Sequence, residues 1–314
     1  MGSRETVLVA GVTGMLGHQI AEALLERGHA TVRALIRPGG YGGERGRKLE
    51  ELRSRGLQTV EGNLLAPESL PAACAGVDTV ISAVQGGEDV IVRGQTNLIE
   101  AADRAGVPRM IPSDFSVDLY KLDSEDYVWL GLRKRADEAF HGKTIQPTPV
   151  LQGVFMEVAV NPLLGLVNWK QGTFTSWGDG EQPCDFTAIA DTARYAAAAA
   201  LDDGLRGRAL RVAGDVLTLR QLHERFQKFA GRELTARYAG TVEDLRRLID
   251  EIKGKDPANQ PAYAFPQYVW AMVSGKGKLD PLDNGRYPDI RPMTMQEFLS
   301  RNPSLGGGAG SLAG

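Results

Sequence analysis

Three glycines near the N-terminus have the spacing of a phosphate-binding loop. Gly11, Gly14 and Gly17 lie between a short apolar run and a segment with helical periodicity. The first glycine permits a tight turn, the second lets the backbone approach a pyrophosphate, and the third lets the helix pack closely on the strand. Because helix N-terminal amides favour negative charge, we predict that this loop binds a dinucleotide; the alternative is a tight turn without a ligand. The expected contact residues are Gly11, Thr13, Gly14, Met15, Leu16 and Gly17.

The residue after the second predicted strand indicates which dinucleotide the loop would bind. An acidic residue at this place pairs with the ribose 2′-hydroxyl of NAD. This chain carries Arg37 there instead. A guanidinium group can form charge-assisted, bidentate contacts with a 2′-phosphate. We therefore predict NADP(H) as the cofactor; the alternative is that Arg37 is a solvated surface arginine.

Strand and helix patterns alternate through the first half, which predicts an α/β fold with a Rossmann-type, doubly wound parallel sheet. The predicted strands cover residues 6–10, 30–36, 59–61, 77–84, 109–112 and 149–151. Right-handed crossovers place the carboxyl ends of these strands along one edge, where ligands bind. The residues at or just after the carboxyl ends of the last three strands should line the cofactor site, unless they serve only loop packing. They are Ser82, Ala83, Val84, Gln85, Ser113, Asp114, Phe115, Gly153, Val154 and Phe155.

The second half of the chain has a less regular pattern. It predicts the remaining sheet elements and a smaller, mainly helical C-terminal lobe that binds the substrate. We expect a nucleotide-binding domain at 1–155, the rest of the sheet with the substrate lobe at 156–304, and a disordered, glycine-rich tail at 305–314. The aromatic residues at 261–270 either line an apolar pocket or form the core of the lobe.

Composition and sequence patterns argue against several classes of function. The net charge of −3 and the pI of about 5.9 do not favour binding to nucleic acid. Two cysteines indicate free thiols rather than a disulfide framework, and the four histidines lack metal-ligand spacing. There is no signal-peptide pattern and no apolar stretch of membrane-spanning length. We expect a cytoplasmic monomer or homodimer with a small-molecule substrate and no metal, membrane or nucleic-acid partner.

Several segments resemble the NmrA-like and isoflavone-reductase-like group of atypical short-chain dehydrogenases/reductases. The most specific is Val-Pro-Arg-Met-Ile-Pro-Ser-Asp-Phe at 107–115. The other matching segments are the glycine loop at 11–17, Leu-Ile-Arg at 35–37, Val-Ile-Ser-Ala-Val at 80–84, and Gly-Gln-Thr-Asn-Leu-Ile-Glu-Ala-Ala at 94–102. Together these segments place the resemblance in about the first 160 residues.

This resemblance implies a reductase that passes a hydride from NADPH to a small, aromatic or unsaturated substrate of the enone, carbonyl or imine type. It also implies a lysine near the nicotinamide, on the helix after the Pro-Ser-Asp-Phe run, and Lys134 falls at that place. The alternative for Lys134 is an exposed helix lysine.

The proton donor is less well defined by the sequence. The Tyr-x-x-x-Lys pattern of the larger short-chain family is missing, because Tyr127 and Lys134 lie seven residues apart. Tyr120 is another candidate donor, unless it is only a packing residue. The residues expected to contact the substrate are Phe115, Tyr120, Met156, Tyr263 and Phe265.

Two further functions are compatible with the same segments. NmrA-like proteins include regulators that bind the dinucleotide without catalysis and control a partner. A non-redox enzyme, such as an isomerase or cyclase, could also have kept the fold, since a fold does not fix a function.

Overall fold

The structure is a computed structural model that describes residues 4–123 and 127–307. The last described residues, Pro303–Gly307, form a short 3₁₀ helix. The remainder of the predicted tail, residues 308–314, lies outside the described residues.

The N-terminal half builds a six-stranded, parallel sheet, as the sequence predicts. Its strands are β1 (Glu5–Ala10), β2 (Ala30–Ile36), β3 (Gln58–Glu61), β4 (Thr79–Ser82), β5 (Arg109–Ile111) and β6 (Gln146–Pro147). Their order is β3-β2-β1-β4-β5-β6. The direction of winding therefore reverses between β1 and β4, which is the place where ligands bind in such sheets.

Within residues 4–123 and 127–307, eight short strands follow the main sheet and form three small sheets. They are β7 (Val150–Leu151), β8 (Val154–Phe155), β9 (Val167–Asn168), β10 (Thr173–Ser176), β11 (Cys184–Thr187), β12 (Leu210–Arg211), β13 (Asp215–Leu217) and β14 (Thr235–Tyr238). Their orders are β14-β10-β9, β13-β11-β8 and β12-β7.

The sixth strand of the main sheet differs from the prediction. Residues 149–151 were expected there, but β6 ends at Pro147, and β7 pairs with β12 instead. Thr148 still donates its N–H to the Met110 carbonyl, at 2.8 Å. Pro149 has no N–H to continue this ladder, and its carbonyl accepts from the N–H of Leu210. The proline therefore marks where the chain leaves the main sheet.

Eleven α-helices connect and cover these strands in the described residues. They are α1 (Met15–Arg27), α2 (Gly43–Ser54), α3 (Pro71–Cys74), α4 (Gln95–Arg104), α5 (Val128–Asp137), α6 (Met156–Ala159), α7 (Ile189–Ala199), α8 (Leu219–Ala230), α9 (Val242–Lys255), α10 (Gln260–Val273) and α11 (Met295–Arg301). Helices α8, α9 and α11 each begin with a capping box led by a threonine. None of these helices is long and apolar enough to cross a membrane.

The main sheet is buried on both faces. Val7 and Val9 of β1 belong to one apolar cluster, and Leu8 and Ala10 belong to another. This follows from the alternation of side chains along a strand. The first face is covered by α1 and by the alanine-rich α7, and the second by α3 and α4. A third cluster, which includes Tyr263, fills the C-terminal lobe.

Candidate functional site

The glycine loop is held in place by close backbone packing. Gly11 has φ of 89°, a conformation that favours glycine. A side chain at Gly11 would collide with the carbonyl group of Ala83, and one at Gly17 would collide with the carbonyl group of Gly11. The loop therefore lies directly against the end of β4, and neither glycine tolerates a Cβ atom without movement of the backbone.

The outer side of the loop fits a pyrophosphate. Gly14 precedes α1, and its N–H donates to the Gly11 carbonyl at 2.9 Å. A Cβ at Gly14 would come within 3.4 Å of only that carbonyl oxygen, so the backbone is open on its other side. The first turn of α1 has no acidic residue, and the Met15 side chain is 56% exposed. The helix dipole and the amides of α1 are thus available to a bound anion.

Arg37 lies where the sequence predicts, directly after β2 and next to the strand that leads into the glycine loop. Its side chain is exposed, and the guanidinium carbon lies 5.7 Å from the centre of the Tyr41 ring. Arg45 and Arg47 follow on α2. The exposed guanidinium of Arg37 is thus free to form charge-assisted bonds of the kind that a 2′-phosphate accepts.

A hydrogen-bond network joins the loops that follow β4 and β5. The Ser113 hydroxyl donates to the Val84 carbonyl at 2.7 Å and accepts from Nη1 of Arg133 at 3.2 Å. The Ser113 N–H donates to Oε1 of Gln95 at 2.7 Å. The residues of these two loops that the sequence assigns to the cofactor site, Ser82–Gln85 and Ser113–Phe115, are thus brought together at one edge of the sheet.

Tyr120 bridges two aspartates beside this edge. Its Oη lies 3.0 Å from Oδ2 of Asp114 and 2.8 Å from Oδ2 of Asp137. Burial raises the pKa of Asp114 to about 6, against the opposing effect of Arg133. Burial, followed by the charge of Asp114, raises the pKa of Asp137 well above its usual range. Burial and both carboxylates also raise the pKa of Tyr120.

Lys134 and Arg133 contact different parts of the structure. Its Nζ donates to the carbonyl of Leu122 at 2.5 Å, so it contacts the segment that carries Tyr120. Arg133, one residue earlier on α5, is the cation that bonds to Ser113. Tyr127 precedes α5 in extended conformation and packs against Trp270, with ring centres 6.0 Å apart. Tyr127 and Lys134 therefore do not share a helical face.

The residues after the predicted sixth strand pack against β11 and α10. Gly153 has φ of 76°, and a side chain there would collide with the carbonyl of Asp185. Val154 and Phe155 form β8, which pairs with β11. Met156 is completely buried. The Gly153 carbonyl accepts from the hydroxyl of Tyr268, at 3.3 Å.

The aromatic residues of α10 pack mainly within the lobe. Tyr263 is 3% exposed, and its hydroxyl donates to the Pro257 carbonyl at 2.9 Å. Phe265 packs edge-on against Trp129, with centres 5.3 Å apart. Of the two interpretations of this segment, core packing accounts for the contacts of Tyr263, whereas Tyr268 reaches Gly153.

Sequence reasoning missed Arg133, Asp137 and Tyr268. Arg133 and Asp137 lie four residues apart on α5, which places them on one helical face. That spacing is visible in the sequence, but the sequence does not show that this face of α5 packs against the loop after β5. The sequence also gave no sign of an open cavity of about 810 Å³ in the lobe. It is lined by Gly178, Asp179, Glu181, Gln182, Tyr238, Thr241, Val242, Glu243 and Val273.

The chain is similar to known proteins over most of its length. The sequence profile of the NmrA-like family matches residues 3–272. A bifunctional pinoresinol-lariciresinol reductase of Linum usitatissimum is 30% identical over 312 residues, which cover 93% of this chain and 97% of the relative. Phenylcoumaran benzylic ether reductase PT1 of Pinus taeda is 26% identical, with 96% of this chain and 99% of the relative covered.

Solved structures share the fold. AtPrR2 with NADP⁺ and (+)pinoresinol superposes with a TM-score of 0.82 at 24% identity, over 96% of this chain and 99% of that chain. The binary complex of leucoanthocyanidin reductase and NADPH from Vitis vinifera superposes with a TM-score of 0.80 at 20% identity, over 95% and 99% of the two chains. Because the family profile covers most of its length, the chain belongs to the NmrA-like family.

Proposed function

We propose that the protein is an NADPH-dependent reductase that transfers a hydride to a small aromatic or unsaturated substrate. The observation that carries this proposal is the complete glycine loop beside β4, in a chain that aligns with reductases over 93% to 96% of its length. The complexes of the structural neighbours with NADPH and NADP⁺ support the choice of cofactor.

The described residues divide the task of cofactor binding. Bound NADPH supplies the hydride, while the chain binds the dinucleotide and manages the accompanying proton. The amides around Gly14 hold the pyrophosphate, and Arg37 pairs with the 2′-phosphate. The loops after β4 and β5 line the nicotinamide end of the site.

Reduction of a carbonyl group or a conjugated double bond consumes one proton for each hydride. Tyr120 is the proposed donor, because it is 42% exposed and lies beside the loop that follows β5. Lys134 holds the backbone at Leu122 and so positions the Tyr120 segment.

The substrate is proposed to bind between the sheet edge and the C-terminal lobe. Phe115 and Tyr120 approach it from the sheet, and residues around Met156 approach it from the lobe. The division into a nucleotide-binding part at 1–155 and a second part at 156–304 belongs to this proposal. The names of the relatives favour a lignan, a phenylcoumaran or another multi-ring phenolic compound as substrate.

Cofactor oxidation tests the proposal directly. The purified protein should oxidise NADPH in the presence of at least one member of a panel that contains pinoresinol, a phenylcoumaran, an isoflavone, a quinone and simple enones. Product analysis by mass spectrometry should show addition of two hydrogen atoms. A regulator would bind NADPH tightly and turn over no member of the panel. An isomerase or cyclase would convert a substrate without oxidising NADPH. Either result would overturn the proposal.

A further inference from the structure

The two hydrogen-bond contacts of the Tyr120 hydroxyl need one more proton than Tyr120 and two ionised aspartates carry. A tyrosine hydroxyl has one hydrogen and can donate it to one acceptor only. Here Oη lies within hydrogen-bond distance of carboxyl oxygens from both Asp114 and Asp137. If both carboxyl groups were ionised, one of these contacts would join two acceptors. One carboxyl group must therefore carry a proton.

Burial and charge favour the same protonation state. Asp114 is completely buried and Asp137 is half-buried, and the two carboxyl groups interact directly. Two carboxylates at one buried site resist simultaneous ionisation. Arg133 is the cation that faces them from α5, and its single charge offsets only one carboxylate. On α10, Tyr268 faces Arg133, and it is a neutral group at ordinary pH.

The position of Tyr120 gives this proton a route outwards. Asp114 lies three residues after the end of β5 and has no exposed surface, whereas Tyr120 is 42% exposed. Tyr120 is therefore the member of the cluster that can touch both the buried carboxyl group and a molecule bound at the sheet edge.

We propose that Asp114 and Asp137 share one proton at neutral pH and deliver it through Tyr120 to the reduced substrate. When hydride adds to a substrate carbon, the displaced electron pair moves to the substrate oxygen or conjugated carbon. That atom takes the proton of Tyr120 as the O–H bond breaks. The Tyr120 oxygen then takes the shared proton from the carboxyl pair, which is restored by a proton from water. The delivery step depends on the proposed reductase function, whereas the shared proton does not.

Infrared spectroscopy of the free protein tests the shared proton. With carbon-13 in the aspartate carboxyl groups, the neutral acid should give a shifted C=O band at pH 7 that Asp137→Asn removes. The aspartate label separates this band from that of Glu157, another carboxyl group of raised pKa. Absence of an aspartic acid band in the wild-type protein, or its persistence in Asp137→Asn, would overturn the proposal.

The pH dependence of turnover tests delivery. Tyr120→Phe should lower kcat at least tenfold while NADPH affinity stays within twofold of wild type. In Asp137→Asn the decline of kcat with rising pH should begin at lower pH, because the group that holds the proton is lost. Glu138→Gln changes the next, exposed residue and should keep the wild-type profile.

Each outcome bears on a separate part of the proposal. An unchanged pH profile in a folded, NADPH-binding Asp137→Asn protein would overturn delivery. Failure of the wild-type protein to turn over any substrate would overturn the reductase function, and the infrared band would still decide whether the proton is shared.

Discussion

Arg133 and Lys134 show how strongly the role of a residue depends on the direction in which its side chain leaves the helix. Successive residues point about 100° apart around a helix axis. Arg133 consequently faces Ser113, whereas Lys134 faces the carbonyl of Leu122. Both residues lie on α5, which spans Val128–Asp137. The family resemblance implies that Lys134 lies near the nicotinamide, whereas the packing of α5 directs Arg133 to Ser113 at the sheet edge.

Arg37→Ala should change the preference for the cofactor. Loss of charge-assisted bonds to the 2′-phosphate, each contributing about 1.5–3 kcal/mol, should weaken NADPH binding roughly tenfold or more. NADH affinity should stay nearly constant. Fluorescence titration of both cofactors measures this, with Arg104→Ala on the exposed end of α4 as the control. An equal loss for both cofactors would assign Arg37 a structural role.

At the scale of single elements, the packing of the glycine loop predicts an asymmetric response to alanine. Gly17→Ala forces a Cβ against the Gly11 carbonyl and should destabilise the fold by about 1–3 kcal/mol. It should also weaken NADPH binding. Gly254→Ala, on α9 with open space around it, should be neutral or stabilise by up to about 1 kcal/mol. Urea unfolding of both variants measures the difference, and similar destabilisation would contradict it.

Glu157 should make α7 sensitive to pH. Its carboxylate accepts from the N–H of Ile189 at the start of α7, and burial raises its pKa to about 7. A raised pKa means that its contribution to stability is complete below the unfolded value of 4.5 and is lost as pH rises through about 7. Glu157→Gln keeps an acceptor without charge. The free energy of unfolding of Glu157→Gln, relative to that of the wild-type protein, should therefore be higher at pH 8 than at pH 5 by about 1–2 kcal/mol.

Thermal unfolding of the variant and the wild-type protein over this pH range measures the contribution of Glu157 to stability. Glu138→Gln, at an exposed carboxyl group, should leave the dependence unchanged. A Glu157→Gln protein with the same pH dependence as wild type would show that the carboxyl group is not held in its neutral form.

The main elements followed from periodicity and turn residues. Strands β1 to β5 lie within two residues of their predicted ends. The two-residue strands such as β8 and β9 are too short for an alternating pattern, so they were not predictable. The glycine loop could be predicted because its function depends on local backbone. The Asp114–Tyr120–Asp137 cluster could not, since it is assembled by the packing of α5 on a separate loop.

At the scale of the whole molecule, the two halves of the chain are interleaved. Helix α7 follows residue 156 in sequence, but its alanines pack on α1 in the same apolar cluster as β1 and β2. The C-terminal lobe has its own core, which reaches from Val117 to Leu299. We therefore expect the molecule to unfold as one cooperative unit.

The two thiols measure this cooperativity. Cys74 lies in a cluster on the main sheet, and Cys184 lies in the lobe core. Burial raises their pKa to about 11 and about 12, respectively, so neither should react in the native protein near neutral pH. Along a urea gradient, both should become labelled with the same midpoint by mass spectrometry. Labelling of Cys184 at clearly lower urea would show that the lobe unfolds independently.

The contact between α1 and α7 links ligand occupancy to a distant segment of sequence. Nucleotide binding at residues 11–17 should stabilise the first turn of α1 and, through the alanine contact, slow the opening of α7. Hydrogen exchange should then report cofactor binding at amides of 193–199 that the cofactor does not touch. The glycine loop and α7 would then move as one dynamic unit, although they lie far apart in the sequence.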